Sequence, residues 1–171
     1  MKIIYISIFP DIFESFVTTT LVSRAVNNWL LSFDYLNPRH FCDDKHRTID
    51  DSIYGGGQGM LMKAPPLITS IRHLVRKYKL TKTKWWKNSN RHIIMPWPSE
   101  ALFTQQSAQT LNDKDLLIFI CGRYEGIDHR VSLRLDQTYP HHRSKLSLGQ
   151  FVTLGGELPA MTMTEAIIRL I

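Results

Sequence analysis

The sequence predicts an α/β domain with a largely parallel sheet flanked by helices, and three observations predict it. Short β-branched runs alternate with amphipathic stretches along the whole chain. The most apolar run, Leu116-Leu117-Ile118-Phe119-Ile120, shows no polar alternation, as expected of a strand buried on both faces. A length of 171 residues, 43% of them hydrophobic and 21% charged, fits one globular domain and excludes disordered or collagen-like chains.

Taken in order, residues 3–8 read as a first buried strand. Pro10-Asp11 suits a helix start, and residues 12–29 carry apolar side chains at helical spacing. Residues 32–36 form a second short strand. From 37 to 59 the chain is polar and glycine-rich without periodicity, and a loop of that length in a compact domain is usually functional. Pro65-Pro66 fits the first turn of a helix whose apolar face is Leu67, Ile71, Leu74, Val75 and Tyr78. A third strand over 92–95 ends at Pro96-Trp97-Pro98, and a helix follows over 103–111. The central strand over 116–120 stops at Gly122. Residues 151–154 read as a last short strand, stopped by Gly155-Gly156. The final stretch, 166–171, is apolar nearly all round, so a helix there belongs against protein, and the chain is expected to be cut or disordered beyond it.

The net charge of +6 is local. Arg72, Arg76, Lys77, Lys79, Lys82, Lys84, Lys87 and Arg91 lie in one acid-free segment, and without it 13 basic face 15 acidic residues. Such a patch is either a landing site for a polyanion, with Trp85 and Trp86 available for base stacking, or a solvated helix end. Cys42 and Cys121 suggest neither a disulfide framework nor a zinc ribbon. His40, Cys42 and His46 fit no zinc spacing, so no metal site is expected. No apolar run is long enough for a membrane span and the first residues lack a signal-peptide pattern, which reads as a soluble, cytoplasmic domain without membrane contact.

Three glycine-bearing segments remain: Tyr54-Gly55-Gly56-Gly57-Gln58-Gly59-Met60, Cys121-Gly122-Arg123-Tyr124-Glu125-Gly126-Ile127-Asp128, and Ser147 to Met161, which ends Gly155-Gly156-Glu157-Leu158-Pro159-Ala160-Met161. The first is neither a P-loop nor a dinucleotide fingerprint, and by composition alone is a mobile turn. The second follows the central strand, where open α/β sheets bind ligands. In this order, and with Phe9-Pro10-Asp11-Ile12-Phe13, Arg39, His46-Arg47-Thr48 and Asp50-Asp51, the three closely resemble the bacterial tRNA (guanine-N1)-methyltransferases of the TrmD type. The resemblance covers essentially all 171 residues.

The resemblance implies a SPOUT-type α/β fold whose carboxyl side threads a deep trefoil knot. It implies an S-adenosylmethionine (SAM) donor with S-adenosylhomocysteine as product, a homodimer with the active site at the subunit interface, and N1 of guanosine 37 of tRNA as acceptor. Carried over by motif, the donor is held by Pro96, Trp97, Pro98, Gly122, Tyr124, Glu125, Gly126, Ile127, Leu148, Gly149, Gln150, Phe151, Val152, Thr153, Gly155, Gly156 and Pro159. Two stretches depart from the family pattern: Pro96-Trp97-Pro98-Ser99-Glu100 stands where the family commonly has Leu-Ser-Pro-Gln-Gly, and Gln150-Phe151 where it usually has an acidic residue and a tyrosine; a pocket built from backbone groups is expected to survive both. The RNA side is implied to use Asp50, Gly55, Gly56, Gly57 and Gly59, with Lys82, Lys84 and Lys87 in the basic patch.

Guanine N1 carries a proton at neutral pH, so transfer needs a base near N1 and positive charge near O6, with donor and acceptor in line. The resemblance places the cation at Arg169 and the base, an aspartate, beyond Ile171. It places a tRNA-gripping helical domain beyond the chain as well, so residues 1–171, as a SAM-binding domain, are expected to bind donor but to methylate poorly or not at all. The family's reaction is associated with Mg²⁺, for which the sequence shows no dedicated cage. A non-catalytic RNA-binding module is the alternative; an enzyme of phosphorylated metabolites lacks a phosphate cradle.

Overall fold

The computed structural model describes residues 1–53, 55–56, 58–78, 90–99 and 101–171. Five parallel strands form one sheet in the order β2-β1-β6-β5-β7. They are β1 (Lys2–Ile6), β2 (Ser32–Leu36), β5 (Arg91–Pro96), β6 (Leu116–Ile120) and β7 (Arg143–Leu146). The apolar run over 116–120 takes the middle position, and all five of its residues are buried. Successive side chains point to opposite faces. Ile3, Tyr5, Leu117 and Phe119 therefore meet one helical layer, while Ile4, Ile6, Ile118 and Ile120 meet the other. The first layer contains α4 (Gln105–Asn112) and α6 (Glu157–Ile168); the second contains α3 (Ala64–Lys77) and α5 (His129–Thr138). Each fully buried Leu, Ile or Phe contributes roughly 1.5–3 kcal/mol.

Two sequence expectations need correction. Residues 12–29 are not one helix: a 3-10 turn (Pro10–Phe13) leads into α1 (Glu14–Val17), and α2 (Thr20–Asn27) starts anew. The Thr18 and Thr19 hydroxyls donate back to carbonyls of Glu14, Ser15 and Phe16, offering the backbone an alternative to continued helix. The strand expected over 151–154 is a loop. Phe151, Val152 and Leu154 are exposed, and the strand lies earlier, at β7, whose side chains are all half-buried.

The long segment after β2 holds a 3-10 turn (Pro38–Phe41) and an antiparallel hairpin of β3 (Asp50–Ser52) and β4 (Met60–Met62). The hairpin has no alternating apolar pattern of its own. It is anchored by fully buried Ile49 and Met62 at its open end. The remaining expected strands and helices lie within a few residues of the predicted bounds; α5, β7 and the β3–β4 hairpin, whose first strand falls within the stretch read as a loop over 37–59, are additions.

Parallel pairing brings the carboxyl ends of β5, β6 and β7 to one edge. Trp97 N donates to Leu146 O and Ser147 N to Ala101 O, so the loops after β5 and β7 run side by side. Gly156 N donates to Gly122 O at 2.8 Å, bringing the end of the second loop onto the start of the loop after β6.

Candidate functional site

Those three loops enclose a cleft of about 230 Å³. Pro96, Trp97 and Pro98 form one wall, residues 122–126 a second, and residues 146–148 and 151–156 with Pro159 a third. The joint between the second and third walls demands glycine. A Cβ at Gly156 would lie 2.9 Å from both Cys121 Cα and Gly122 N, which are backbone atoms with nowhere to go. Here the backbone itself forms the surface.

Gly155 meets a different neighbour. A Cβ there would sit 2.3 Å from Arg123 Nε. That nitrogen donates to Glu157 Oε2 at 2.8 Å, and Glu157, fully buried, takes a second hydrogen bond at Oε1 from Ser7 Oγ at 2.6 Å. The Arg123 guanidinium also lies 4.8 Å from the Phe9 ring centroid. Ser7, Phe9, Arg123 and Glu157 thus brace the cleft from beneath. Burial pushes the neighbouring Cys121 thiol well up, with the Glu157 charge adding to the effect, so this sulfur stays protonated and unreactive.

Trp97 owes its place to Gly126, whose φ of +131° and missing Cβ leave the indole room; a Cβ there would be 3.3 Å from the ring. Lys145 Nζ lies 4.8 Å from the centroid of the same ring, a cation–π contact. Desolvation, with Arg143 nearby, lowers the Lys145 pKa. A wall of half-buried Trp97 between buried Pro96 and exposed Pro98 suits a flat apolar ligand.

At the cleft rim, Tyr124 holds a left-handed φ of +60° and donates its hydroxyl to Asp50 Oδ1 at 3.3 Å while accepting from Arg39 Nη2 at 3.3 Å. Asp50 on the hairpin and the loop after β6 are thereby neighbours. Glu125 points the same way: one carboxylate oxygen accepts from Met60 N at 2.6 Å.

Most residues expected to hold the donor line this cleft. Ile127 does not; it is buried and pairs with Met62 beneath the loop. Gly149 and Gln150 face a shallower groove on the loop's other side, with Ser99 and Leu102. Arg169 caps the carboxyl end of α6, is exposed, and reaches Gln105 Oε1 at 3.4 Å, outside the cleft lining. Gly55 and Gly56 are exposed at the hairpin tip with positive φ. Gly57, Lys82, Lys84 and Lys87, with Tyr54, Trp85 and Trp86, lie outside the described residues. Sequence reasoning missed Arg123, Leu146, Ser147 and Leu154 as lining residues. Arg123 sits inside the motif already singled out, whereas Leu146 and Ser147 become visible only once β7 is placed. Among the described residues, no cluster of three or more His, Cys, Asp or Glu side chains is placed to hold a metal, and no helix is long and apolar enough to cross a membrane.

An all-parallel sheet flanked by helices, with a glycine-lined cleft at the carboxyl edge of its strands, defines an α/β domain with a candidate small-ligand site where open sheets of this kind bind ligands. A family model described as tRNA (Guanine-1)-methyltransferase TrmD matches residues 1–171, and the chain belongs to that family. A tRNA (guanine-N(1)-)-methyltransferase of Staphylococcus epidermidis is 36% identical over 171 residues, which are 100% of this chain and 63% of that protein. One from Photobacterium profundum is 41% identical over 167 residues, 97% of this chain and 61% of that protein. A crystal structure of tRNA (m1G37) methyltransferase from Aquifex aeolicus aligns with a TM-score of 0.82 at 26% identity, over 100% of this chain and 70% of that one. The chain spans less than two thirds of the length of these curated relatives.

Proposed function

We propose that this chain is the donor-binding domain of a tRNA (guanine-N1)-methyltransferase that uses S-adenosylmethionine and acts at guanosine 37. The observation that carries the reading is the close backbone approach of Gly156 to Cys121 and Gly122, which lines a cleft with amides and small residues between three loops. Adenine needs such a flat slot with main-chain hydrogen-bonding groups. Pro96, Trp97, Pro98, Gly122, Leu148, Gly155, Gly156 and Pro159 would hold the nucleoside. When bound, the donor supplies a methyl group on an electrophilic sulfonium.

The chain's own contribution is alignment. Tyr124 and Asp50 stand at the rim, where an incoming base would be received. Arg169 would supply positive charge at O6 from across a homodimer interface, and the N1 proton would go to an aspartate carboxylate beyond Ile171. Exposed Phe9, Leu154 and Leu158 near the cleft support such an interface, because a homodimer would cover them. The hydrogen bond between the two carboxyl-side loops is compatible with the threaded knot of the family. A cytoplasmic location follows from a tRNA substrate.

Calorimetry with S-adenosylhomocysteine tests the reading, with unmodified tRNA titrated in parallel. Binding of the nucleoside is expected, together with little or no turnover by residues 1–171 alone. RNA binding without nucleoside binding would leave only a non-catalytic RNA-binding module. Robust turnover would place the base within the chain. Repeating the turnover assay with EDTA in place of Mg²⁺ tests the metal dependence that the resemblance implies.

A further inference from the structure

The resemblance makes Glu125 a donor ligand, but the structure commits its carboxylate elsewhere. Met60 N donates to Glu125 Oε2 at 2.6 Å, and Glu125 N donates to Met60 O at 3.1 Å. The pairing continues along the loop: Met62 N donates to Gly126 O at 2.9 Å and Asp128 N to Met62 O at 3.0 Å. Strand β4 is therefore stitched to the loop after β6 over its whole length. The residue before it, Gly59, holds a φ of +114° that favours glycine, and a Cβ there would run into the Glu125 carboxylate and displace it. On the facing strand β3, Asp50 pairs with Met62 in register and accepts from the Tyr124 hydroxyl. Residues 122–126 thus wall the donor cleft on one side and carry the hairpin with Asp50 on the other.

We propose that Glu125 is a positioning residue: its carboxylate clamps Gly59 and Met60, setting Asp50 relative to the donor cleft and coupling donor occupancy to the order of the RNA-facing hairpin. The coupling half of this rests on the donor-binding reading above; the clamp does not. Ligand that fixes the backbone of 122–126 also fixes β4, and a fixed β4 favours ligand by the same free energy.

Amide hydrogen exchange at Met60 and Met62, measured with and without S-adenosylhomocysteine, tests both halves without needing turnover. In the unaltered chain the nucleoside should slow exchange at Met60. Glu125→Ala should speed it about tenfold or more, the scale set by losing a charge-assisted hydrogen bond, and should abolish the slowing by nucleoside. Glu125→Gln, which keeps an oxygen acceptor, should recover part of the protection. Gly59→Ala, which drives a methyl group into the carboxylate, should mimic Glu125→Ala. Unchanged Met60 exchange in Glu125→Ala overturns the clamp. A loss of more than tenfold in nucleoside affinity, with or without faster exchange, makes the carboxylate a donor ligand and overturns the proposal too. If the unaltered chain binds no nucleoside, the donor reading fails while exchange in the free chain still decides the clamp. If it binds with no change at Met60, the coupling is wrong.

Discussion

Replacing Gly156 with alanine adds one methyl group against main chain. Its Cβ would lie 2.9 Å from Cys121 Cα and Gly122 N and 3.3 Å from the Cys121 carbonyl carbon, against a preferred separation of roughly 3.5–4 Å. Gly156 has φ −80° and ψ −8°, an ordinary conformation for any residue, so the penalty is steric alone. Neither contact atom can rotate away, since Cys121 is fully buried and its N–H donates to Ile6 O. Relief requires parting the two loops, which stretches the 2.8 Å hydrogen bond from Gly156 N to Gly122 O. Overpacking of this kind costs about 2–3 kcal/mol. For a chain of this size that lowers Tm by roughly 4–12 °C. Gly122→Ala is the matched control, because its Cβ would meet only the Ile127 side chain at 3.4 Å. Thermal melts should show Gly122→Ala close to the unaltered chain and Gly156→Ala well below it, and calorimetry with S-adenosylhomocysteine should show weakened binding by Gly156→Ala. Equal melting of all three proteins would refute the claim that main chain, not side chain, builds the cleft wall.

Three further outcomes are expected. Glu157→Ala should cost about 3–5 kcal/mol in urea unfolding, because it strips a buried partner from Arg123 Nε and Ser7 Oγ; a change below about 1 kcal/mol would mean the pair contributes nothing net. His92 is held from its ordinary 6.5 down to about 4 by burial first, then by Lys114 and His142. The unfolded chain therefore binds the proton that the folded chain refuses, so stability should decline as pH drops from about 6.5 to 4 and be insensitive to His92 above that range. The urea midpoint of His92→Gln should decline less across this window; an unaltered slope would show that His92 titrates alike in both states. Reversing Lys82, Lys84 and Lys87 to glutamate should weaken tRNA binding and flatten its salt dependence, measured by filter binding at several ionic strengths, whereas an unchanged slope would make the patch a solvated surface.

Where a residue's environment is set by its near neighbours in sequence, the reading from sequence was close. The run over 116–120 is uniformly apolar because both faces are covered, and it sits centrally in the sheet. Pro65-Pro66 opens α3, since a missing N–H costs nothing in a first turn. The misplaced strand shows the opposite case. Phe151 to Leu154 looks like a strand, yet its apolar side chains Phe151, Val152 and Leu154 are exposed, while Arg143–Leu146 has an unpromising polar composition and pairs with β5 at the sheet edge. Edge position relaxes the demand for apolar residues on both faces, so composition misled in both places. Arg123 was within a recognised motif but unassigned, because its partner Glu157, itself held by Ser7, is distant in sequence.

The amino-acid order by itself determined the alternation of strands and helices, the three glycine segments and the family they mark, because these depend on periodicity and residue type. Only the tertiary structure decided which glycine meets backbone, which carboxylate braces Arg123 and which reaches across to Met60. Those assignments join residues between 34 and 150 positions apart, and contacts at that range arise from how the layers pack, not from any local preference of the chain.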